Sequence, residues 1–316
     1  MEIIKLKPIF KQMIWGGDRL KNEFNYPINL DNIGECWGIS AHKHGDCIIY
    51  NGKYAGMKLS ELYQTHKELF GNLDSDIFPL LTKIIDAKSD LSIQVHPDDK
   101  YAYEHENGSL GKIEFWYVID AKPNTNIILG HNAKTKEELK DMIKSKNWNK
   151  LIRTVPIKAG DCFMIEPGTV HAINGGALIL ETQQNSDITY RVYDYDRLQD
   201  GKPRQLHIKE SVDVIKAPYI PHKCSIDNNI TINKEMKQYM TCDYFTVWGL
   251  NVKENSKLIQ DQPCMLFSII EGYGKINGEK IKKGDHFILP NEYGNVDLNG
   301  DFNAIVSSPK KKVLKK

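Results

Sequence analysis

The chain is poor in the features that would place it in a membrane, on nucleic acid or in a disulfide-built scaffold. No apolar run in its 316 residues approaches the ~20 that a membrane-crossing helix needs. The opening Met1–Pro8 has neither a signal-length apolar stretch nor a small-residue cleavage site, so no targeting peptide is expected. Charge of one sign is missing too. There are 42 basic and 41 acidic side chains and a formal net charge of +1, which gives no field to hold nucleic acid or an anionic membrane. The only charge run is Lys310, Lys311, Lys312, Lys315 and Lys316, and it reads as a solvated end. Six cysteines (Cys36, Cys47, Cys162, Cys224, Cys242 and Cys264) are scattered with no C-x-x-C pair. That excludes a thiolate zinc site and a disulfide framework, and it fits a reduced, cytoplasmic setting. Hydrophobic residues at 41% and charged residues at 26% are those of a globular chain long enough for one large domain or two ordinary ones.

What is present is a succession of short β-like runs punctuated by Gly, Pro, Asn and Asp. They are 36–40, 80–86, 91–96, 113–120, 162–165, 178–181, 189–194, 245–252, 265–271 and 286–289. This spacing predicts an all-β barrel or sandwich. Helical patterns are expected at 59–70, at 100–106 after Pro97-Asp98-Asp99, at 134–146 and at 207–216. One segment occurs twice. Ile157-Lys-Ala-Gly-Asp161-Cys-Phe163-Met-Ile165 resembles Ile281-Lys-Lys-Gly-Asp285-His-Phe287-Ile-Leu289, and each Gly-Asp pair is a turn that delivers the chain into a strand. Upstream, Phe115–Asp120 resembles Phe267–Glu271. The repeat predicts two cupin-like (jelly-roll) β-barrels in tandem with helical insertions, a working barrel over 1–220 and a partner over 233–316. A linker is expected near Pro218–Ile232. Matching the phenylalanines sets Glu114 against Leu266, and matching the Gly-Asp turns sets His171 against Asn295. The second copy therefore lacks ligand-type side chains.

The first copy has them. In Leu91-Ser-Ile-Gln-Val-His96, strand alternation puts Ser92, Gln94 and His96 on one face, and Pro97 ends the run. In the next candidate strand, Lys112, Glu114, Trp116 and Val118 share a face. A glutamate there, among apolar neighbours, is costly unless something pairs with it. The third piece ends at Pro167-Gly168 and restarts at His171. Two imidazoles and a carboxylate suit a catalytic zinc site, and the same mixed donors admit Fe, Mn, Co or Ni.

Several motifs, in order, resemble type I mannose-6-phosphate isomerases (phosphomannose isomerases), the short bacterial form most of all. They are Pro79–Ala87, Leu91-Ser-Ile-Gln-Val-His-Pro-Asp-Asp99, Gly111-Lys-Ile-Glu-Phe-Trp-Tyr117 and Thr189-Tyr-Arg-Val-Tyr-Asp-Tyr-Asp-Arg197, and the likeness begins near Met13-Ile-Trp-Gly-Gly17. The resemblance implies a zinc-dependent cupin with one Zn²⁺ per chain, held by Gln94, His96, Glu114 and His171. It implies Arg191 as the catalytic arginine, and roles near the substrate for Ser92, Lys112 and Glu181. The general cupin second motif spaces its residues differently from Gly160, Pro167 and Gly168. The implied reaction interconverts mannose 6-phosphate and fructose 6-phosphate through a cis-enediol. The implied partner is a small sugar phosphate, with no nucleic acid, no membrane and no required oligomer. Glu181 follows the apolar run Ala177–Leu180, which would raise its pKa; metal-bound water competes with it as the base. Arg191 would act on the enediolate or on the phosphate. Two other classes fit parts of the pattern: a non-catalytic sugar-binding cupin module, and a metal-dependent oxygenase, against which Gln94 in place of a further histidine argues.

Overall fold

The computed structural model describes residues 1–221, the backbone of 231–233, and residues 235–311. Most of the expected linker, and Lys312, Lys315 and Lys316 of the basic end, lie outside the described residues.

The expected tandem β architecture is what the chain adopts. The first barrel is built from two facing sheets. One has six strands in the order Cys162–Ile165, Glu114–Ala121, Ala177–Gln184, Leu80–Asp86, Ile33–Ile39, Ile9–Gly17. The other has five, in the order Ile152–Pro156, Asn126–His131, His171–Ile173, Ile93–Val95, Tyr190–Tyr193. Neighbouring strands in both sheets are antiparallel.

Alternation sorts the six-stranded sheet cleanly. Ile85, Trp116, Val118 and Ile179 face the five-stranded sheet and form the barrel interior with Trp15, Ile127 and Ile173. Their neighbours Ile84, Phe115, Leu178 and Leu180 face the other way, into a core shared with Phe245, Val247 and Leu266 of the second barrel. Phe115 and Tyr117 stack on Tyr239 at 6.4 and 5.7 Å. The sheet is thus buried on both faces, which is why its strands read as nearly unbroken apolar runs.

The second barrel closes with one large sheet. Its main path runs Thr231–Asn233, Met236–Thr241, Phe245–Gln260, Gly294–Pro309, Met265–Ile276, His286–Leu289, Ile4–Lys7, Ile48–Ile49. The first strand of the chain therefore pairs with His286–Leu289. The interior is apolar, with Phe267 stacked on Phe287 at 5.0 Å among Met265, Ile269, Leu289 and Val306.

The pairing register corrects one expectation. Glu114 pairs with Ile165, and Met265 pairs with Leu289. Ile165 and Leu289 are the equivalent last residues of the repeat, so the counterpart of Glu114 is Met265, not Leu266. Leu266 faces the first barrel, as Phe115 faces the second. The other counterpart, His171 with Asn295, agrees with the turns: Gly168 and Glu292 each have a left-handed φ, +84° and +57°, three residues earlier.

The helices pack outside the barrels; the one expected at 100–106 keeps its length one residue earlier, and the other three are shorter than their sequence patterns. The 59–70 stretch is a helix at Leu59–Thr65 and a 3₁₀ turn at Lys67–Phe70. Asp98 caps the helix Asp99–His105 by accepting from the Tyr101 N–H at 2.9 Å. Thr135 caps Lys136–Lys144 in the same way. The last expected helix is Ile208–Val214.

Candidate metal centre and its pocket

Two glycines bring the three ligand-bearing segments together. Gly111 sits against Asp98 and Asp99 so closely that a Cβ would stand 2.5 Å from their backbone atoms. This packs Lys112 against the segment after His96, where the Lys112 N–H donates to Pro97 O at 3.0 Å. Gly168, with φ +84°, donates its N–H to His96 O at 2.9 Å, and a Cβ there would meet Val214 O at 2.7 Å. The turn so fixed starts the strand in which His171 pairs directly with Gln94.

His96, Glu114 and His171 are 1%, 1% and 0% exposed. His96 Nε2 lies 3.0 Å from Glu114 Oε1 and 3.2 Å from His171 Nε2. His171 Nε2 lies 3.7 Å from Glu114 Oε2 and 3.4 Å from the Gln94 amide nitrogen. His171 Nδ1 donates to Thr169 O at 2.8 Å, so its Nε2 carries a lone pair towards the others. Burial, helped by the Lys112 charge, pushes His96 down to about 3. Burial also lowers His171, although Glu114 opposes it. Burial alone would raise Glu114, but Lys112 at 3.0 Å, His96 and His171 outweigh it and hold the carboxyl well below its usual range. At neutral pH the cluster is therefore two neutral imidazoles and one carboxylate.

The His171 Nε2 lone pair and Glu114 Oε2 converge at 3.7 Å with no hydrogen bond between them, an arrangement a cation would stabilise. The donor set fits one. Ligand distances of 2.0–2.2 Å around a tetrahedral zinc put neighbouring donors about 3.4 Å apart, and the separations here run from 3.0 to 3.7 Å. Glu114 Oε2 has no hydrogen-bond partner among the described residues, as an oxygen reserved for a ligand would have none. Turning the Gln94 amide about its last bond presents Oε1 to the same point.

Beside the cluster lies a cavity of about 450 Å³. Ser92, Gln94, Lys112, Glu181 and Arg191 all line it. Arg191 pairs across the ladder with Gln94. Its Nε donates to Ser92 Oγ at 3.3 Å and its Nη1 to Gln205 O at 2.8 Å. It pairs with no carboxylate among the described residues: Asp194 is taken by Arg197 and Arg204, and the nearest cation to Asp196 is Lys146.

Sequence reasoning missed Lys83, Glu35 and Trp37, which line the same cavity. Lys83 Nζ is 3.0 Å from Glu181 Oε1 and 3.7 Å from Glu35 Oε1. Trp116 donates to Glu181 Oε2 at 2.7 Å and Trp37 to Glu35 Oε2 at 2.6 Å. Burial penalises the Lys83 ammonium, yet Glu181, Glu35 and Glu114 outweigh that and raise its pKa. Burial and then the Glu114 charge raise Glu181, against Lys83 and Lys112. The available signal was a lone charge inside the run Leu80-Leu-Thr-Lys-Ile-Ile85, on the inward face with Leu81 and Ile85.

Comparison with known proteins agrees with this geometry. Residues 3–110 match the model of the phosphomannose isomerase type I catalytic domain, and residues 235–309 match the mannose-6-phosphate isomerase cupin domain. Mannose-6-phosphate isomerase ManA of Bacillus subtilis is 49% identical over 311 residues, 97% of this chain and 98% of that protein. The mannose-6-phosphate isomerase of Streptococcus mutans is 46% identical, over 95% of this chain and 98% of its own. The crystal structure of mannose 6-phosphate isomerase from Bacillus subtilis superposes with a TM-score of 0.94 at 46% identity, covering 97% of this chain and 99% of that one. Lys112, Glu114, His171, Glu181 and Arg191 fall between the two matched segments, within the span the relatives cover.

Proposed function

Because this chain belongs to the type I phosphomannose isomerase family, we propose that it interconverts D-mannose 6-phosphate and D-fructose 6-phosphate through a cis-enediol, with one zinc ion per chain. The family is metal-dependent. The working unit spans 1–220, and its partner 233–316, whose sheet also takes in Ile4–Lys7 and Ile48–Ile49, has no such group of metal donors among the described residues. His96, Glu114 and His171 hold the ion, with Gln94 as fourth ligand through its carbonyl oxygen. A divalent cation there supplies Lewis-acid polarisation of the sugar oxygens.

The chain's own groups do the rest. Arg191 presents its guanidinium to the cavity without a carboxylate to neutralise it, which suits an enediolate oxygen or the phosphate. Lys112 keeps Glu114 ionised and points its ammonium into the same space, a second donor for anionic oxygen. Ser92 steadies Arg191 and is a further substrate contact. Glu181 is the proton acceptor. Its raised pKa moves it towards the working range of a general base, and Lys83 and Trp116 fix its two oxygens. The substrate is the one partner the site requires, since every group named comes from a single chain. No nucleic acid or membrane enters the reading. No helix among the described residues is long and apolar enough to cross a membrane. A reduced, cytoplasmic setting fits the scattered cysteines.

The observation that carries this reading is an unneutralised arginine on the same cavity as a buried His–Glu–His donor set. Metal analysis with a coupled assay of fructose 6-phosphate formation tests it. Stoichiometric zinc and turnover lost to EDTA and regained with metal are expected. Sugar binding without turnover would sink it.

A further inference from the structure

The proposed reaction leaves one step without a residue. Hexose 6-phosphates are ring-closed for the most part in water, and a proton moves between C1 and C2 only in the open chain. Opening a pyranose needs a group that takes the proton of the O1 hydroxyl and gives one to O5.

A cluster on the same cavity has that form. His42 ends the short strand Ala41–His42, His44 follows in the turn to Gly45–Asp46, and Asp187 lies just past the strand Ala177–Gln184. His44 and Asp187 both line the cavity. His44 Nδ1 is 2.5 Å from Asp187 Oδ2, and His42 Nε2 is 3.5 Å from Asp187 Oδ1. The three have the makings of a second cation site, but the hydrogen bonds oppose it. His42 Nδ1 accepts the His44 backbone N–H at 3.2 Å. Burial, with smaller effects from His44, Lys43 and Lys11, lowers the His42 pKa despite Asp187. His42 is therefore neutral, and its one proton sits on Nε2, which leaves no lone pair for a metal there. Asp187 thus faces His42 Nε2 across 3.5 Å and accepts the His44 Nδ1 proton at 2.5 Å. With Nδ1 held by Asp187 Oδ2, the His44 ring has Nε2 left to act as the base, the arrangement of a histidine oriented by a carboxylate. Lys11 Nζ donates to His44 O and pins the turn. The groups around the ring are the neutral His42 and the charged Lys43, Asp187, Lys11 from the strand Ile9–Gly17, and Lys112, which acts through Asp187.

We propose that His44 is the acid–base residue that opens the sugar ring, with Asp187 as its positioning residue. The proposal rests on the isomerase reading above. Nε2 takes the O1 proton as the C1–O5 bond breaks. The electron pair leaves on O5, C1–O1 becomes the carbonyl, and the imidazolium returns the proton to O5. The step neither gains nor loses a proton or an electron.

The test uses the zinc-loaded full chain, with mannose 6-phosphate carrying protium or deuterium at C2. In His44→Gln, kcat is expected to fall about a hundredfold, the lower end of acid–base contributions. The isotope effect at C2 should shrink towards unity, because ring opening becomes slower than proton transfer. His44→Ala should regain rate with added imidazole. Asp187→Asn should lose less kcat than His44→Gln. A His44→Gln enzyme within about threefold of the parent kcat overturns the proposal. So does a lower kcat with an undiminished isotope effect and no imidazole rescue. A parent enzyme with two cations per chain, one of them lost in His44→Gln, overturns it in favour of a metal. A parent inactive on mannose 6-phosphate is instead a failure of the isomerase reading itself.

Discussion

The two barrels share a backbone and differ in what they enclose. In each, a glycine with φ +89° (Gly160, Gly284) precedes an aspartate whose side chain accepts an N–H three residues back, from Lys158 at 2.9 Å and from Lys282 at 2.8 Å. In each, that glycine donates to the neighbouring strand, to Val118 O and to Ile269 O. From there the interiors part. Where the first barrel points Glu114, Trp116 and Val118 inward, the second points Met265, Phe267 and Ile269. Where the first has His171 paired with Gln94, the second has an exposed Asn295 paired with Ile259, itself 67% exposed. The turn and the ladder are indifferent to this choice. Buried charges cost several kcal/mol each unless paired, so the first barrel spends stability on Lys83, Lys112, Glu114 and Glu181, and the second fills the same space with apolar contacts.

Exchanging single residues between the barrels breaks the comparison most directly. Glu114→Met, which installs the second barrel's residue in the first, should abolish metal binding. It should lower kcat/KM by about a thousandfold or more, since a bound cation supplies several kcal/mol of transition-state stabilisation; metal analysis and the coupled assay read both. The converse, Met265→Glu, places a carboxylate in an apolar interior with no cation partner. It should cost about 3–5 kcal/mol of stability in denaturant unfolding, the penalty for an uncompensated buried charge, and bind no second metal. Arg191→Ala tests whether the first barrel's chemistry separates from its metal. A loss of about a hundredfold in kcat with zinc content intact is expected, and simultaneous loss of zinc would remove Arg191 from the chemistry. An effect that shows only as pH falls lies in the second barrel. Burial pushes His286 from 6.5 down to about 3. Its folded value is below its unfolded one, so the stability it holds is complete above about pH 6.5 and is lost as pH falls towards 3. That one group contributes a slope of about 1.4 kcal/mol per pH unit, and His286→Gln should flatten the unfolding profile by that amount.

The sequence was legible where period two and burial act together. The runs Leu80–Asp86, Cys162–Ile165 and His286–Leu289 begin and end where expected. The 245–252 run extends to Gln260, and Gly294–Pro309 went unread as a strand. Both are 16-residue arms of one ribbon, rich in Asn, Asp, Gly and Lys where they leave the core. Their order comes from pairing along the whole length, not from local propensity. The metal donors showed themselves through alternation and an awkward glutamate. Gln94, Arg191, Lys112, Ser92 and Glu181 needed the family resemblance. Lys83, Glu35 and His44 stayed hidden, because their partners are brought near only by sheet order. The one-residue error over Met265 has the same origin: matching side chains align phenylalanines, whereas hydrogen bonds set the register.

The strand Ile4–Lys7 also has a bearing on how the molecule is made. It is synthesised well before its partner His286–Leu289, from which it is separated by the whole of the first barrel and much of the second. Its closure waits on nearly the whole chain, a contact of long sequence separation that folds late. A fragment beginning at residue 233 would expose the flank of His286–Leu289 as an open, apolar edge, a template for pairing with other chains. The repeat that looks separable in sequence is a unit only when Ile4–Lys7, from before the first barrel, has joined its sheet.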